Sequence, residues 1–196
     1  GEASDVDICS AETSAGSASN LEALATGESN FAIVQADLQS EAYRATEYYS
    51  GQKPATWLRT LFGLYLEPLT LVTREDAGVE AFADLKGKRV NFGEPGSGQF
   101  LTMQNLLRAA GWSMSDFAEV TDLSPRDQAK ALCDGKIDAY AYMVGHPNVS
   151  TSEASILCSI KFVAIEGDKV EKLLADKPYY EKAFVPAKTY LRGAER

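Results

Sequence analysis

Apolar residues come in short bursts along this chain, and their spacing switches between helical and extended from one burst to the next. In residues 14–27 a small polar cluster of Ser14, Gly16 and Ser17 precedes Leu21 and Leu24, and Gly27 closes the run, which predicts a helix. Residues 30–35 (NFAIVQ) are apolar and β-prone and read as a short buried strand. A second helix is expected next, with Asp37 placed to cap it and Leu38, Ala42, Ala45 and Tyr49 on one face. Residues 57–73 are almost continuously β-prone or apolar, longer than a usual strand. Two strands meeting at Pro68 are predicted there, because proline has no N–H for the ladder.

From residue 88 the bursts alternate. Residues 88–92 read as a strand and residues 99–110 as a helix, with Phe100, Met103, Leu107 and Ala110 on one face and Gly111 as its stop. Ser124, Pro125 and Asp127 form a helix start; that helix ends at Gly135 and leads into a strand over residues 137–144 (IDAYAYMV). A short helix over residues 152–157 precedes a strand over residues 160–165, and Asp168 with Glu171 opens a last amphipathic helix through Leu173 and Leu174. Strands alternating with helices predict an α/β fold whose parallel or mixed sheet is covered on both faces.

Composition narrows the functions open to such a fold. The chain has 196 residues, enough for one domain or two small ones, with 45% apolar and 24% charged residues. A net charge of −9 disfavours nucleic acid and anionic membrane surfaces as partners. No apolar run reaches the roughly 18 residues of a membrane span. The opening GEASDVD lacks a basic start and an apolar stretch, so an export signal either already removed or never present is expected.

The chain holds three cysteines, Cys9, Cys133 and Cys158, and a single histidine, His146, without CxxC or His-x-His spacing. No metal site and no cofactor are expected from them. Cys133 and Cys158 each end a helical stretch that feeds a strand, so they form either a disulfide or two buried free thiols, and Cys9 is left unpaired. A thiolate working with His146 would need both on one side of the sheet, whereas the cysteines fall at the strand ends away from His146. No catalytic residue is therefore assigned.

The most distinctive local pattern is GEPGSGQ, residues 93–99, between a strand and a helix. Gln99 and Phe100 stand where a P-loop needs Lys and Ser/Thr, and the glycines read GxxGxG rather than GxGxxG, so neither nucleotide motif is satisfied. A glycine turn that opens a helix still offers unpaired N–H groups and a positive dipole end, which suits a carboxylate or polar solute; a plain tight turn is the simpler alternative. The loops at residues 35–37, 93–99 and 145–148 all follow strand-like runs, where ligands of open α/β sheets bind. Tyr140 and Tyr142 share a strand face as core or pocket wall. Lys86, Lys88 and Arg89 read as a solvated turn, and the glycosylation triplet at Asn148 as chance.

Six ordered motifs carry a family resemblance: CSAETSAGSASN (9–20), FAIVQADLQSEAY (31–43), LYLEPLTLV (64–72), LKGKRVNFGEPGSGQ (85–99), ALCDGKIDAYAYMVGHPN (131–148) and KPYYEKAFVP (177–186). Through them the chain resembles the TAXI family, solute receptors of tripartite ATP-independent periplasmic (TRAP) transporters. The resemblance implies a two-lobed fold like the type II periplasmic binding proteins, with residues 1–71 as a partial first lobe, 72–185 as a complete second lobe and 186–196 as a strand crossing back. It implies that Ser17, Gln35, Asp37, Glu67, Ser97, Gly98, Gln99, Thr102, Tyr142 and His146 lie near an interlobe cleft. It further implies a periplasmic receptor that hands a small carboxylate solute, such as glutamate, glutamine or a dicarboxylate, to a membrane permease. A sensing domain of the same fold is the alternative, and an enzyme on this scaffold a more distant one. Two motifs depart from the family: Thr-Gly-Gly-Ser becomes Ser14-Ala15-Gly16-Ser17, and Tyr-Pro-Glu-Pro becomes Tyr65-Leu66-Glu67-Pro68. Family members also extend past both ends of this sequence, so an incomplete first lobe, with self-association through its exposed apolar surface, is expected.

Overall fold

A computed structural model of the chain describes residues 10–190; Cys9 lies outside them. Five strands, β1 (Leu69–Arg74), β2 (Arg89–Asn91), β3 (Glu119–Thr121), β4 (Ala139–Met143) and β5 (Ile160–Val163), form one sheet in the order β3-β2-β4-β1-β5. β2 pairs parallel with β3 and β4, whereas β1 pairs antiparallel with β4 and β5. β1 therefore runs against the other four, and its first residue, Leu69, lies opposite Met143 at the carboxyl end of β4.

Six α-helices accompany the sheet: α1 (Ser17–Thr26), α2 (Ala36–Arg44), α3 (Gly98–Ala110), α4 (Gln128–Cys133), α5 (Val149–Leu157) and α6 (Asp168–Asp176). Strand side chains alternate between faces. Leu71, Ala139, Ala141 and Val163 point to Met103, Leu106 and Leu107 of α3 and to Val170 and Leu173 of α6. Val72, Tyr140 and Ile160 point the other way, to Ala129 and Leu132 of α4 and Ala154 of α5. The expected α/β fold, a mixed sheet covered on both faces, is present. A third cluster, Leu21, Leu38, Ala42, Leu58 and Leu101, joins α1 and α2 to the start of α3.

Several local expectations need correction. Residues 30–35 are an extended connection that joins no sheet, and Phe31 and Ile33 stand 71% and 64% exposed. Residues 57–68 are also unpaired, and a single strand begins just after Pro68. β-Propensity describes how a residue suits a pleated surface, and neither segment has a neighbouring strand among the described residues. Gln35 occupies the cap position of α2, while Asp37 sits inside its first turn. Ser124 forms a backbone turn with Asp127 and Gln128, which delays α4 to Gln128. Asn148 caps α5, its side-chain oxygen accepting the Thr151 N–H at 2.8 Å, so α5 starts three residues earlier than expected. Cys133 and Cys158 form a disulfide that ties the end of α4 to the end of α5. Residues 187–189 form a 3-10 turn, and 191–196 lie outside the described residues.

The basic residues read as a solvated turn are engaged. Lys86 bonds Asp116 at 3.0 Å and lies 4.8 Å above the Trp112 ring, and Lys88 donates to the Ala77 carbonyl. Arg89 grips Asp138 through Nε, Nη2 and its backbone N–H.

Candidate functional site

Because β1 is reversed, the chain enters it at the same rim where β2, β4 and β5 end. Glu67 and Pro68 thus share an edge with the loops after β2 and β4. In the first of those loops Gly93 has φ +83°, and an added Cβ would lie 2.0 Å from Gln99 Nε2, because that side chain folds back to donate to the Phe92 carbonyl at 3.2 Å. Ser97 caps α3 by accepting the Phe100 N–H at 3.3 Å.

Three helix starts meet beside this loop. A Cβ on Gly98, the first residue of α3, would lie 1.7 Å from Gln35 Oε1 and 3.1 Å from Ser17 Oγ, and a Cβ on Gly16 would lie 3.5 Å from the Gly98 nitrogen. The missing side chains let α1, α2 and α3 bring their amino ends together. Ser17 Oγ, at the start of α1, accepts the Gln35 N–H at 3.1 Å, and Gln35 Nε2 donates to Glu67 Oε2 at 3.1 Å. Gln35 Oε1 is buried with no hydrogen-bond partner among the described residues.

A buried polar seam begins in the first turn of α2. Asp37, 3% exposed, accepts the Leu38 N–H at 2.8 Å through Oδ1, and the hydroxyls of Thr102 at 2.6 Å and Tyr180 at 2.8 Å through Oδ2. Asn105 donates to Glu41 at 2.7 Å and to the Tyr180 oxygen at 3.3 Å. Burial is the main force raising the Glu41 carboxyl; the Asn105 bond opposes it, and the Asp37 and Glu47 charges add to it. Burial, then the Asp37 charge, pushes the Tyr180 hydroxyl strongly up. Glu41, Asn105 and Tyr180 were not singled out from sequence; the available signal was the KPYY motif and the helical spacing of Asp37 with Glu41 and of Thr102 with Asn105.

Ser17, Gln35, Asp37, Glu67, Ser97, Gly98, Gln99 and Thr102 all line one cavity of about 1550 Å³, whose other walls include Phe31, Phe62 and Phe184. Tyr142 and His146 do not line it. Tyr142 is half-buried, its hydroxyl raised by burial and then by the Glu67 and Tyr65 charges. Beside it the Tyr65 hydroxyl is raised chiefly by the Glu67 carboxylate. His146 is turned to Thr70 and Tyr190. Tyr140 is core, fully buried with its hydroxyl pushed up to about 12 by burial. With both sulfurs in the disulfide, neither Cys133 nor Cys158 is a nucleophile for His146. Among the described residues no group of three or more His, Cys, Asp or Glu side chains is arranged to hold a metal ion, and no helix is long and apolar enough to cross a membrane.

The positive dipole ends of α1, α2 and α3 converge at the meeting point, with the carboxylates of Glu67 and Asp37 at its border. The model of the NMT1-like family matches residues 2–196. The chain belongs to the NMT1-like family. Among solved structures, this NMT1-like chain is similar to the periplasmic aliphatic sulphonate binding protein SsuA from Escherichia coli, at 29% identity over 49% of this chain and 33% of that one, with a TM-score of 0.40. The alkanesulfonate-binding protein SsuA from Xanthomonas axonopodis pv. citri bound to MOPS is also 29% identical, over 49% of this chain and 31% of that one, with a TM-score of 0.38. A periplasmic binding protein of an ABC transporter from Brucella ovis with glutathione bound is 14% identical over 52% of this chain and 31% of that one, with a TM-score of 0.41. The chain spans about a third of the length of these proteins.

Proposed function

We propose that this NMT1-like chain is part of an extracytoplasmic solute receptor, and that it holds a small carboxylate solute in the cleft between its amino-terminal helices and the carboxyl rim of the sheet. The observation that carries the reading is the meeting of three helix amino ends at Ser17, Gln35 and Gly98, at the wall of a cavity large enough for a solute. A carboxylate there accepts N–H groups with no need of an arginine. Glu67 at the border favours a solute that also brings an ammonium group, as an amino acid does. Periplasmic residence accords with the Cys133–Cys158 disulfide, since such bonds persist in oxidising compartments. The resemblance to TAXI receptors makes the permease of a TRAP transporter the expected partner. Binding and release without turnover separates this reading from an enzyme, and genetic linkage to permease subunits rather than a receptor kinase separates it from a sensing domain.

The test is a thermal-shift screen of glutamate, glutamine, dicarboxylates and alkanesulfonates, followed by calorimetry on any hit. A true solute at 100 times its Kd stabilises by about 2.7 kcal/mol, and Ser97→Ala with Gln99→Ala weakens it while the protein stays folded. A hit whose affinity is the same in that double variant overturns the placement of the site, and a hit that is consumed overturns the receptor reading.

A further inference from the structure

The chain's single histidine is the centre of a hydrogen-bond chain whose donors can be counted. The backbone N–H of Asn148 donates to the Tyr190 hydroxyl oxygen at 2.8 Å, and that hydroxyl lies 2.7 Å from His146 Nδ1. On the other side of the ring, Thr70 Oγ1 lies 2.7 Å from Nε2 and directs its own hydrogen to the Pro68 carbonyl at 3.1 Å. A hydroxyl has one hydrogen. Thr70 spends its hydrogen on Pro68 and so accepts from Nε2–H, which leaves Nδ1 bare to accept from Tyr190 O–H. A single arrangement satisfies all four bonds: neutral His146 with its proton on Nε2. A second proton on Nδ1 would meet a Tyr190 oxygen that already accepts from the backbone N–H of Asn148 and, at 3.4 Å, from its Nδ2, so no lone pair is left to take it and the chain breaks at that point.

We infer that His146 is a proton-controlled clasp, closed when neutral, that fastens the chain at Tyr190 to the rim of the sheet beside Pro68. The fastening is tight: Tyr190 is 3% exposed and Thr70 1% exposed, and the Tyr190 ring also meets Phe162 of β5 at 5.6 Å between centroids. The groups around the ring do not offset a positive charge. From β1 comes Thr70, from β5 Phe162 through Tyr190, and from the start of α5 Asn148; the titratable neighbours are Tyr190 and, behind it, Tyr140, while Tyr65, with Glu67 beside it, packs on the adjoining Gly145. Burial holds the imidazole below its ordinary value, and the positive end of α5, three residues on, acts in the same direction. The fastened segment follows Phe184, which lines the cavity, while Tyr180 keeps its own bond to Asp37, so opening the clasp loosens the chain between Phe184 and Tyr190. The inference concerns the clasp itself and holds whatever the solute.

Because His146 is the chain's single histidine, imidazole ¹H–¹⁵N NMR of the intact protein reads it without assignment ambiguity. The expected result is a neutral Nε2–H tautomer that titrates below about 6.5, with hydrogen exchange of amides 187–190, corrected for intrinsic rates, rising at least tenfold as pH falls through the midpoint. In Tyr190→Phe, where Nδ1 loses its donor, the midpoint moves up and exchange is fast at either pH; Thr70→Val, which removes the acceptor of Nε2–H, moves the midpoint down, because that bond is stronger to the imidazolium. An Nδ1–H tautomer, a wild-type midpoint at or above 6.5, or exchange that ignores the midpoint overturns the inference, and these wild-type measurements stand even if a variant fails to fold.

Discussion

Gly98 and Gln35 approach so closely that a β-carbon on the glycine would lie 1.7 Å from the glutamine's Oε1. This contact seats the start of α3 against the cap residue of α2. Gly98→Ala forces the Gln35 side chain out and breaks its bond to Glu67, at a cost of about 1 to 2 kcal/mol. Urea unfolding of Gly98→Ala, Gln35→Ala and the double variant measures it. A smaller loss for Gly98→Ala in the Gln35→Ala background is expected, and equal losses in both would show that the two residues do not touch.

Asp138 ties β4 to β2. Its carboxylate accepts three bonds from Arg89 and lies 3.8 Å from Arg74 Nη2. Burial pushes this carboxyl up, but the Arg89 bonds and the two guanidinium charges outweigh it and hold the group below its ordinary value. A depressed carboxyl contributes its stabilisation above the ordinary carboxylate range and loses it as pH falls through the depressed value. Asp138→Asn is expected to lose about 2 kcal/mol at pH 7, with the gap to wild type narrowing below about pH 4. Chemical unfolding at both pH values checks this; a gap that is constant with pH would rule out the charge as the cause.

Reduction of the Cys133–Cys158 disulfide opens a loop closed across a sequence separation of 25. Chain-entropy reasoning puts the loss at about 3.5 kcal/mol. The urea midpoint should fall on adding reductant, and the double variant Cys133→Ser with Cys158→Ser should reproduce the fall and be insensitive to reductant.

Tyr180 links α2 to α3, donating to Asp37 and accepting from Asn105. Tyr180→Phe leaves Asp37 with one hydroxyl donor in place of two, at a cost of about 1 to 2 kcal/mol. Thr102→Val removes the other donor, and the combined loss should exceed the sum, since the second removal leaves the buried carboxylate oxygen without a hydroxyl. Thermal denaturation of the three variants decides it; simple additivity would mean that water replaces the lost donors.

The β/α rhythm beyond residue 88 was legible because a central strand such as β4, AYAYM, is flanked by strands and covered by helices and therefore reads as an unbroken apolar run. The same signal at residues 30–35 and 57–66 misled, since a run of β-prone residues records a preference but cannot supply the second strand it needs. Glu67, Gln35 and Gly98 were reachable from loop position and family resemblance. Tyr180 was not, because 143 residues separate it from Asp37 and no local pattern announces the contact. The role of His146 was hidden for a similar reason: its partners lie 76 and 44 residues away, and only the fold brings them to the two sides of one ring.

The reversed strand β1 also sets how force passes through the molecule. A pull on Pro68 from the amino-terminal side loads β1 along its length, with hydrogen-bonded neighbours on both flanks. Such a strand must shear two ladders at once, whereas an edge strand can peel away one bond at a time. The link between the amino-terminal helices and the sheet is thus anchored at a stiff point, and strain at the cleft will be taken up by the unpaired residues 57–67 before the sheet yields.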